Sequence, residues 1–266
     1  MAKAFFDAPL PLKFAHRGAT DAGRLDENTW PAFEEALAQG ATHIETDAQV
    51  TRDGVAVLFH DDDLLRVGAT PLSPGRKLVA EYDFSELRAM KLARGGQISS
   101  LLETLQRFPE VRFNIDVKVA GAVHPVAQAI RQTNSYERIL ITSFSDRRRI
   151  ATLNLLSQVQ AGRWQVATSP GSSTLLKAWL GFWVLSAFGH RTMVRGLGLL
   201  LRGSDAIQVP QRHGLIWFAN PRFISAVREL GMHVHFWVVN DEATAKKLIR
   251  LGATGIVTDD LPALRL

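Results

Sequence analysis

Five polar residues in the first quarter of the chain have the types and the spacing of a hydrolytic metal site. His16, Arg17, Glu45, Asp47 and His60 each lie at the end of a short apolar run with the composition of a strand. Alternate side chains of a strand share a face, so the two acids can hold one hard divalent cation between their oxygens. Imidazole titrates near neutral pH, so the two histidines can exchange protons with attacking and leaving oxygens. The arginine guanidinium matches phosphate oxygens, and the set therefore predicts metal-assisted cleavage of a phosphodiester.

The order of these residues resembles the signature of the glycerophosphodiester phosphodiesterase family. Between residues 14 and 66 the matching motifs are His16-Arg17-Gly18, Glu27-Asn28-Thr29, Glu45-x-Asp47, Thr51-Arg52-Asp53-Gly54 and His60-Asp61. The later motifs that resemble the family are Asp116-Val117-Lys118, Trp237 and Gly255-Ile256-Val257-Thr258-Asp259. The resemblance spans nearly the whole chain, apart from a stretch around 168–203.

A second pair of charged residues repeats the alternate spacing on another strand. Asp116 and Lys118 are separated by one apolar residue and flanked by apolar neighbours. The resemblance implies that Asp116 is a third metal ligand beside Glu45 and Asp47, and that Lys118 contacts the phosphate. The family more often has Glu at the position of Asp116, so the shorter side chain bears on the coordination distance and on the choice of metal.

The resemblance also implies roles for four further side chains. It gives His16 and His60 acid and base roles, with metal contact as the alternative for His60. It places Glu27 close to the substrate or the metal, whereas Asn28 or Thr29 would cap the helix that follows. It packs Trp237 against the glycerol part of the substrate, and the alternative for this residue is an ordinary place in the core.

The rest of the sequence predicts the elements that position these residues. Strands are predicted at 13–15, 43–50, 55–59, 112–118, 139–144, 164–167, 206–209 and 233–239, with 255–257 either a further strand or part of the last turn. Helices are predicted at 30–39, 101–108, 123–133, 146–156, 221–230 and 241–251. About eight β/α units predict an α/β protein with a closed (β/α)8 TIM barrel, a single domain over residues 1–266. An open doubly wound sheet is less favoured, because it gathers its site at one switch point, whereas these polar residues end several strands.

Composition narrows the classes of function. The net charge of +5 attracts polyanions, but the basic residues are dispersed, so we expect no nucleic-acid partner. A small phosphodiester or an anionic membrane fits the same charge. The absence of cysteine excludes disulfides and thiolate metal sites. The segment 1–12 lacks the long apolar core of a signal peptide, which predicts a cytoplasmic location.

The stretch near 170–203 is predicted as an apolar insertion. Residues 178–189 carry no charge, while Lys177, His190, Arg191 and Arg195 lie beside them. A helix of this length covers about 18 Å, short of the ~30 Å hydrocarbon core of a bilayer. The insertion is therefore either an enlarged barrel helix or an interfacial element at 175–201 that holds the protein peripherally at a membrane. The Gly/Ser/Thr-rich residues 167–174 are predicted as a surface loop.

The residues predict metal-dependent hydrolysis of a phosphodiester, and the family resemblance implies that the substrates are glycerophosphodiesters, hydrolysed to glycerol 3-phosphate and an alcohol. Glu45, Asp47 and Asp116 would hold one Mg²⁺ or Ca²⁺. One alternative is lysophospholipase D-type hydrolysis of lysophospholipids at a membrane surface. The other is a non-catalytic, membrane-attached binding barrel. Direct attack by water and initial closure of a cyclic phosphate both remain open, and the resemblance is compatible with the cyclic route.

Overall fold

The computed structural model describes residues 3–20, 23–157 and 165–266. The strands are β1 (Leu12–His16), β2 (His43–Val50), β3 (Ala56–Leu58), β4 (Phe113–Val117), β5 (Ile139–Thr142), β6 (Ala167–Thr168), β7 (Ala206–Val209), β8 (Arg212–His213), β9 (Ile216–Trp217), β10 (His233–Phe236) and β11 (Gly255–Thr258). The α-helices are α1 (Trp30–Ala38), α2 (Phe84–Ala89), α3 (Leu101–Arg107), α4 (Val123–Gln132), α5 (Asp146–Leu155), α6 (Ser172–Ser186), α7 (His190–Leu200), α8 (Pro221–Glu229) and α9 (Glu242–Arg250).

Within the described residues, eight parallel strands curl into a nearly closed barrel. Neighbouring strands follow the order β6, β5, β4, β2, β1, β11, β10, β7. The first and last strands of this order approach each other where Asp205 N donates to Thr168 O at 2.9 Å. Helices lie between successive barrel strands along the chain, and the fold confirms the predicted (β/α)8 TIM barrel.

The structure corrects the identity of one barrel strand. The predicted strand 55–59 is β3, which pairs antiparallel with β2 and lies outside the barrel order. Residues 51–55 alone join the two strands, and a parallel pair would need a crossover of about a dozen residues or more. The eighth barrel strand is β11, which pairs with β1 and β10. The predicted strand 164–167 begins at Trp164, which lies outside the described residues.

The six predicted helices are present, each within about two residues of its predicted ends. The starts of α8 and α9 follow their sequence signals, because the side chains of Asn220 and Asp241 accept hydrogen bonds from backbone N–H groups of the first turn. Ser100 and Glu103 form a reciprocal capping box at the start of α3. The short helix α2 was not predicted.

The apolar insertion folds as two helices, α6 and α7, between β6 and β7. On the inner face of α6, Trp179 and Phe182 are buried and pack on Phe223, with ring centroids 5.1 and 5.4 Å apart. Trp183 and Phe188 are exposed instead. The insertion is therefore core on one side and apolar surface on the other. No helix in the described part of the chain is long and apolar enough to cross a membrane.

The prediction of a surface loop at 167–174 is wrong. Residues 166–171 are buried, since β6 occupies Ala167 and Thr168 and α6 begins directly afterwards. A Cβ on Gly171 would lie 2.9 Å from the carbonyl oxygen of Ser143. The small residues of this segment reflect close packing against the loop after β5, not mobility at the surface.

The amino-terminal segment covers the end of the barrel where the strands begin. Phe5 and Phe6 are buried there, and the Phe6 ring stacks on His233 with centroids 4.0 Å apart and planes at 7°. Nε2 of His43 lies 2.8 Å from the carbonyl oxygen of Phe5. Burial lowers the pKa of both His43 and His233 to about 4, so these rings are neutral at physiological pH.

Candidate active site

The nine predicted site residues lie at or beside the opposite end of the barrel, where the strands finish. A cavity of about 570 Å³ opens there, and eight of the nine residues line it: His16, Arg17, Glu45, Asp47, His60, Asp116, Lys118 and Trp237. The ninth, Glu27, lies directly behind Arg17, with 3.1 Å between its Oε1 and the arginine Nη1. A groove of about 650 Å³ elsewhere on the barrel contains none of the nine.

Strand register explains why these residues meet. His16 on β1 is the partner of Glu45 on β2, and Glu45 is the partner of Asn114 on β4. Two residues further along, Asp47 is the partner of Asp116. Inward side chains of neighbouring barrel strands form layers, so the acids occupy two successive layers just below the cavity mouth.

His16 is held from behind by a carboxylate. Its Nδ1 lies 2.6 Å from Oδ1 of Asp259, and its Nε2 lies 3.9 Å from Oε2 of Glu45. Asn240 donates to the other oxygen of Asp259 at 2.9 Å. Burial acts to lower the pKa of His16, but the hydrogen bond with Asp259 and the charge of Glu45 outweigh it, and the pKa is raised. The ring thus has Asp259 beside Nδ1 and Glu45 nearest Nε2, and it lines the cavity.

His60 reaches the same cavity from the segment after β3. Its Nδ1 lies 2.5 Å from Oδ1 of Asp61, and Arg66 donates to the other oxygen of Asp61, also at 2.5 Å. Phe59 N donates to the carbonyl oxygen of Asp47 at 3.0 Å, which anchors this segment to the end of β2. Each of the two histidines thus has its own carboxylate partner on Nδ1.

Glu45 and Asp47 are both buried, but their surroundings shift their pKa values in opposite directions. Burial and the neighbouring Asp47 raise the pKa of Glu45 to about 8. Burial acts on Asp47 in the same direction, but the charges of Lys118 and Arg17 reverse it and lower the pKa of that carboxyl group. Nε of Arg17 lies 3.2 Å from Asp47 Oδ2, and Nζ of Lys118 lies 3.0 Å from Asp47 Oδ1. The protein therefore stabilises the charged form of Asp47 and disfavours the charged form of Glu45.

Asp116 completes the group of acids. Its Oδ2 lies 3.1 Å from Nζ of Lys118, which thereby bridges Asp47 and Asp116. Burial raises the pKa of Asp116, and its other oxygen, Oδ1, is buried without a hydrogen-bond partner among the described residues. Three buried carboxyl groups with an orphaned oxygen are the donor set that a hard divalent cation prefers. Among the described side chains, no three His, Asp or Glu groups are yet arranged as a coordination sphere, and Lys118 and Arg17 neutralise the acids instead.

The backbone that carries Arg17 is held in an unusual conformation. Arg17 and Asn28 have φ values of 57° and 56°, in the left-handed region that non-glycine residues seldom adopt. Asn28 N donates to the carbonyl oxygen of Arg17 at 2.8 Å, and its side-chain amide donates to Asp47 Oδ2 at 3.2 Å. Thr46, on the outer face of β2, donates from its hydroxyl to the side-chain oxygen Oδ1 of Asn28 at 2.7 Å. Asn28 therefore helps to hold the Asp47 carboxylate in place. Thr29 occupies the N-cap position of α1 without a side-chain capping bond.

Glu27 and Trp237 are the two remaining predicted substrate-binding residues. Glu27 accepts hydrogen bonds from Arg66 at 2.6 and 2.8 Å as well as from Arg17. Burial acts to raise the pKa of Glu27, but both arginines outweigh it, so the carboxylate is ionised and positions Arg17. Trp237 lines the cavity and meets Phe144 edge to face, with centroids 6.0 Å apart.

The outer wall of the cavity is apolar. It is formed by side chains from the segments that follow β5, β6 and β7, including the start of α6 and strand β9: Phe144, Pro170, Leu175, Leu176, Ile216 and Phe218. Polar groups thus cluster at the floor, and a hydrocarbon surface surrounds the entrance.

Three polar residues of the site were not singled out from the sequence. Asp61 follows His60 directly, and Asp259 lies in the last motif, so both stood within recognised segments. Arg66, which joins Glu27 to Asp61, had no such signal. Its role depends on the loop after β3 folding back over the barrel rim.

Comparisons with known proteins agree with this geometry. Residues 16–263 match the Glycerophosphoryl diester phosphodiesterase family. A Mycobacterium tuberculosis protein named "Probable glycerophosphodiester phosphodiesterase 2" is 35% identical over 257 residues, which cover 96% of this chain and 89% of that protein. Human lysophospholipase D GDPD3 is 26% identical over 294 residues, covering 94% and 83%.

Two solved structures show the same fold. An Oleispira antarctica phosphodiesterase in complex with the product sn-glycerol-3-phosphate superposes with a TM-score of 0.71 at 21% identity, covering 94% of this chain and 93% of that one. A glycerophosphodiester phosphodiesterase from Agrobacterium tumefaciens superposes with a TM-score of 0.69 at 20% identity, covering 98% and 96%.

Proposed function

Because the chain belongs to the glycerophosphoryl diester phosphodiesterase family and is a phosphoric diester hydrolase, we propose that it hydrolyses glycerophosphodiesters to glycerol 3-phosphate and an alcohol. The observation that carries the proposal is the convergence of His16, His60 and the three acids on one cavity with Arg17 and Lys118. This combination supports proton transfer and charge stabilisation at a phosphate.

Glu45, Asp47 and Asp116 would hold one Mg²⁺ or Ca²⁺. The burial of all three acids and the unpartnered Oδ1 of Asp116 support this assignment. When bound, the cation supplies Lewis-acid stabilisation of phosphoryl oxygens. Lys118 and Arg17, which lie within 3.2 Å of Asp47, are the side chains that would contact the remaining phosphate oxygens.

The two histidines would move the protons. One imidazole takes a proton from the attacking oxygen as the new P–O bond forms, and the other gives a proton to the alcohol oxygen as its P–O bond breaks. The attacking oxygen belongs either to water or to a neighbouring substrate hydroxyl, which first closes a cyclic phosphate that water then opens. Asp259 and Asp61 would fix the orientations of the two rings, because each carboxylate accepts a hydrogen bond from Nδ1–H of its histidine. The Nε2 atom of each ring is then left to exchange protons with the substrate. Trp237 would pack against the glycerol part, and Glu27 would position Arg17.

Turnover of glycerophosphocholine tests the proposal. Activity should vanish in excess chelator and return with Mg²⁺ or Ca²⁺. His16→Ala and His60→Ala should each lower turnover by roughly 10²-fold or more. His190→Ala, on the exposed surface of α7, is the matched control and should be fully active. Full activity in chelator, or a folded His16→Ala variant with normal turnover, would contradict the mechanism.

A second candidate is lysophospholipase D-type hydrolysis at a membrane surface, favoured by the apolar cavity wall. A substrate with an acyl chain can bury hydrocarbon against Leu175, Ile216 and Phe218, whereas glycerophosphocholine cannot. Ile216→Asp should therefore lower turnover of lysophosphatidylcholine while glycerophosphocholine hydrolysis persists. Equal effects on both substrates would argue for the soluble diester. The family assignment argues against the third alternative, a binding protein without catalytic activity.

A further inference from the structure

The outward side of α6 carries an apolar stripe. Leu176, Leu180, Trp183 and Val184 recur at i, i+4, i+7 and i+8, which places them on one side of α6, and Phe188 follows in the turn directly after the helix. All five are exposed, with Val184 at 64% and Phe188 at 70% of full accessibility. We call these residues the α6 stripe. Natural surfaces seldom present so many large apolar side chains together unless something covers them.

All charged residues in the part of the sequence that contains the stripe are basic. From residue 147 to residue 204 the chain has no Asp or Glu, although it has 26 acidic residues in total. Lys177 on α6 and Arg191 and Arg195 on α7 are exposed. The acid placed near them is Glu229 of α8, whose Oε2 lies 2.8 Å from Nε2 of His190. An apolar helical surface with exposed cations on α6 and α7 is complementary to anionic headgroups over hydrocarbon.

The stripe is continuous with the mouth of the catalytic cavity. Leu176, its first residue, is also part of the cavity wall. The neighbouring β8–β9 hairpin carries Leu215, which is 96% exposed, and the half-exposed Trp217. The next residue, Phe218, lines the cavity and packs on Trp179 of α6 at a centroid distance of 5.4 Å. The hairpin and α6 therefore form adjoining sides of the entrance.

We propose that the α6 stripe and the tip of the β8–β9 hairpin dock the protein on an anionic lipid bilayer, with the cavity mouth at the membrane surface. The fifteen residues of α6 span about 22 Å, so the helix lies in the interface and does not cross the hydrocarbon core. Docking would bring lipid substrates to the apolar wall without full transfer through water. That consequence for turnover rests on the proposed function, whereas docking itself needs no catalysis.

Vesicle flotation with the full chain tests the docking. The protein should float with vesicles of phosphatidylcholine and phosphatidylglycerol in equal parts and bind pure phosphatidylcholine at least tenfold more weakly. The variant Leu180→Gln/Val184→Gln/Phe188→Gln, which keeps good helix formers, should weaken binding to the mixed vesicles at least tenfold. Leu10→Gln is the control, because Leu10 is 57% exposed at the other end of the barrel, and it should bind as the wild type does.

Charge reversal supplies an independent measurement. Arg191→Glu/Arg195→Glu should weaken binding to the anionic vesicles at least tenfold, whereas Lys247→Glu/Arg250→Glu on α9 changes the net charge equally and should have a far smaller effect. Both stripe and charge variants should hydrolyse soluble glycerophosphocholine normally, which separates failure of docking from failure of the proposed function. Wild-type binding by the stripe variant, or equal affinity for neutral and anionic vesicles, would overturn the proposal. So would a stable dimer that the stripe substitutions dissociate, since a second copy would then cover the stripe.

Discussion

Replacing His233 by Phe should make the stability of the protein less dependent on pH. In the folded state the ring stacks on Phe6, and its pKa is lowered to about 4 by burial and by the charge of Arg228. The unfolded chain has an ordinary histidine pKa near 6.5. The folded state therefore binds fewer protons below pH 6.5, and stability falls as the pH falls from 7 towards 4.

The size of the effect follows from the two pKa values. A shift from about 6.5 to about 4 removes about 2 kcal/mol of unfolding free energy between pH 7 and pH 5. Since the ring is only partly buried, solvent screening reduces the expected loss to about 1 kcal/mol. Phenylalanine keeps the stacking contact and removes Nδ1, which is buried without a partner among the described residues.

Urea unfolding at pH 7 and pH 5 measures this difference directly. The wild type should lose about 1 kcal/mol more than His233→Phe over this interval. His124→Phe, an exposed position on α4, is the matched control and should lose as much as the wild type. Identical losses for wild type and His233→Phe would refute the assignment of a neutral, buried ring at this end of the barrel.

Two further predictions concern the active site and its backbone. Asp259→Asn should lower the turnover number by roughly 10- to 100-fold. It should also lower the pKa of His16 in the pH–rate profile, because the raised pKa depends on that carboxylate. An unchanged profile would show that Asp259 does not position the ring. Gly18→Ala should destabilise the fold by about 1–3 kcal/mol in urea unfolding. Gly18 has φ of 86°, and an added Cβ would lie 2.9 Å from the backbone of Ala32. Wild-type stability in that variant would show that the turn relaxes.

The sequence predicted best what depends on local geometry. Glu45 and Asp47 share a face because alternate strand positions do, and the same rule aligned Asp116 with Lys118. The barrel followed from the alternation of strands and helices, which needs no knowledge of distant contacts. The helix starts at Asn220 and Asp241 were likewise readable from single residues.

The sequence predicted least where pairing between distant segments decides the outcome. Strand β3 has the composition of a barrel strand, and only the short turn before it forces the antiparallel pairing. The helical insertion mixes core and surface in one uncharged run, so Trp179 and Trp183 could not be assigned to opposite environments by type. The contact of Arg66 with Glu27 spans 39 positions and depends on the loop after β3.

The pairing of β1 with β11 makes the active site depend on the last part of the chain to be synthesised. His16 lies on the first strand, and its partner Asp259 is 243 positions away, just after the last strand. Such a contact cannot form until the intervening chain has been synthesised and the first and last strands of the chain have paired, and contacts of this separation are slow to form. A nascent or partly folded chain would therefore expose His16 without its carboxylate, and hydrolytic activity would appear only once β11 has paired with β1. The same hydrogen bond that orients an imidazole in the finished enzyme thus reports that folding is complete.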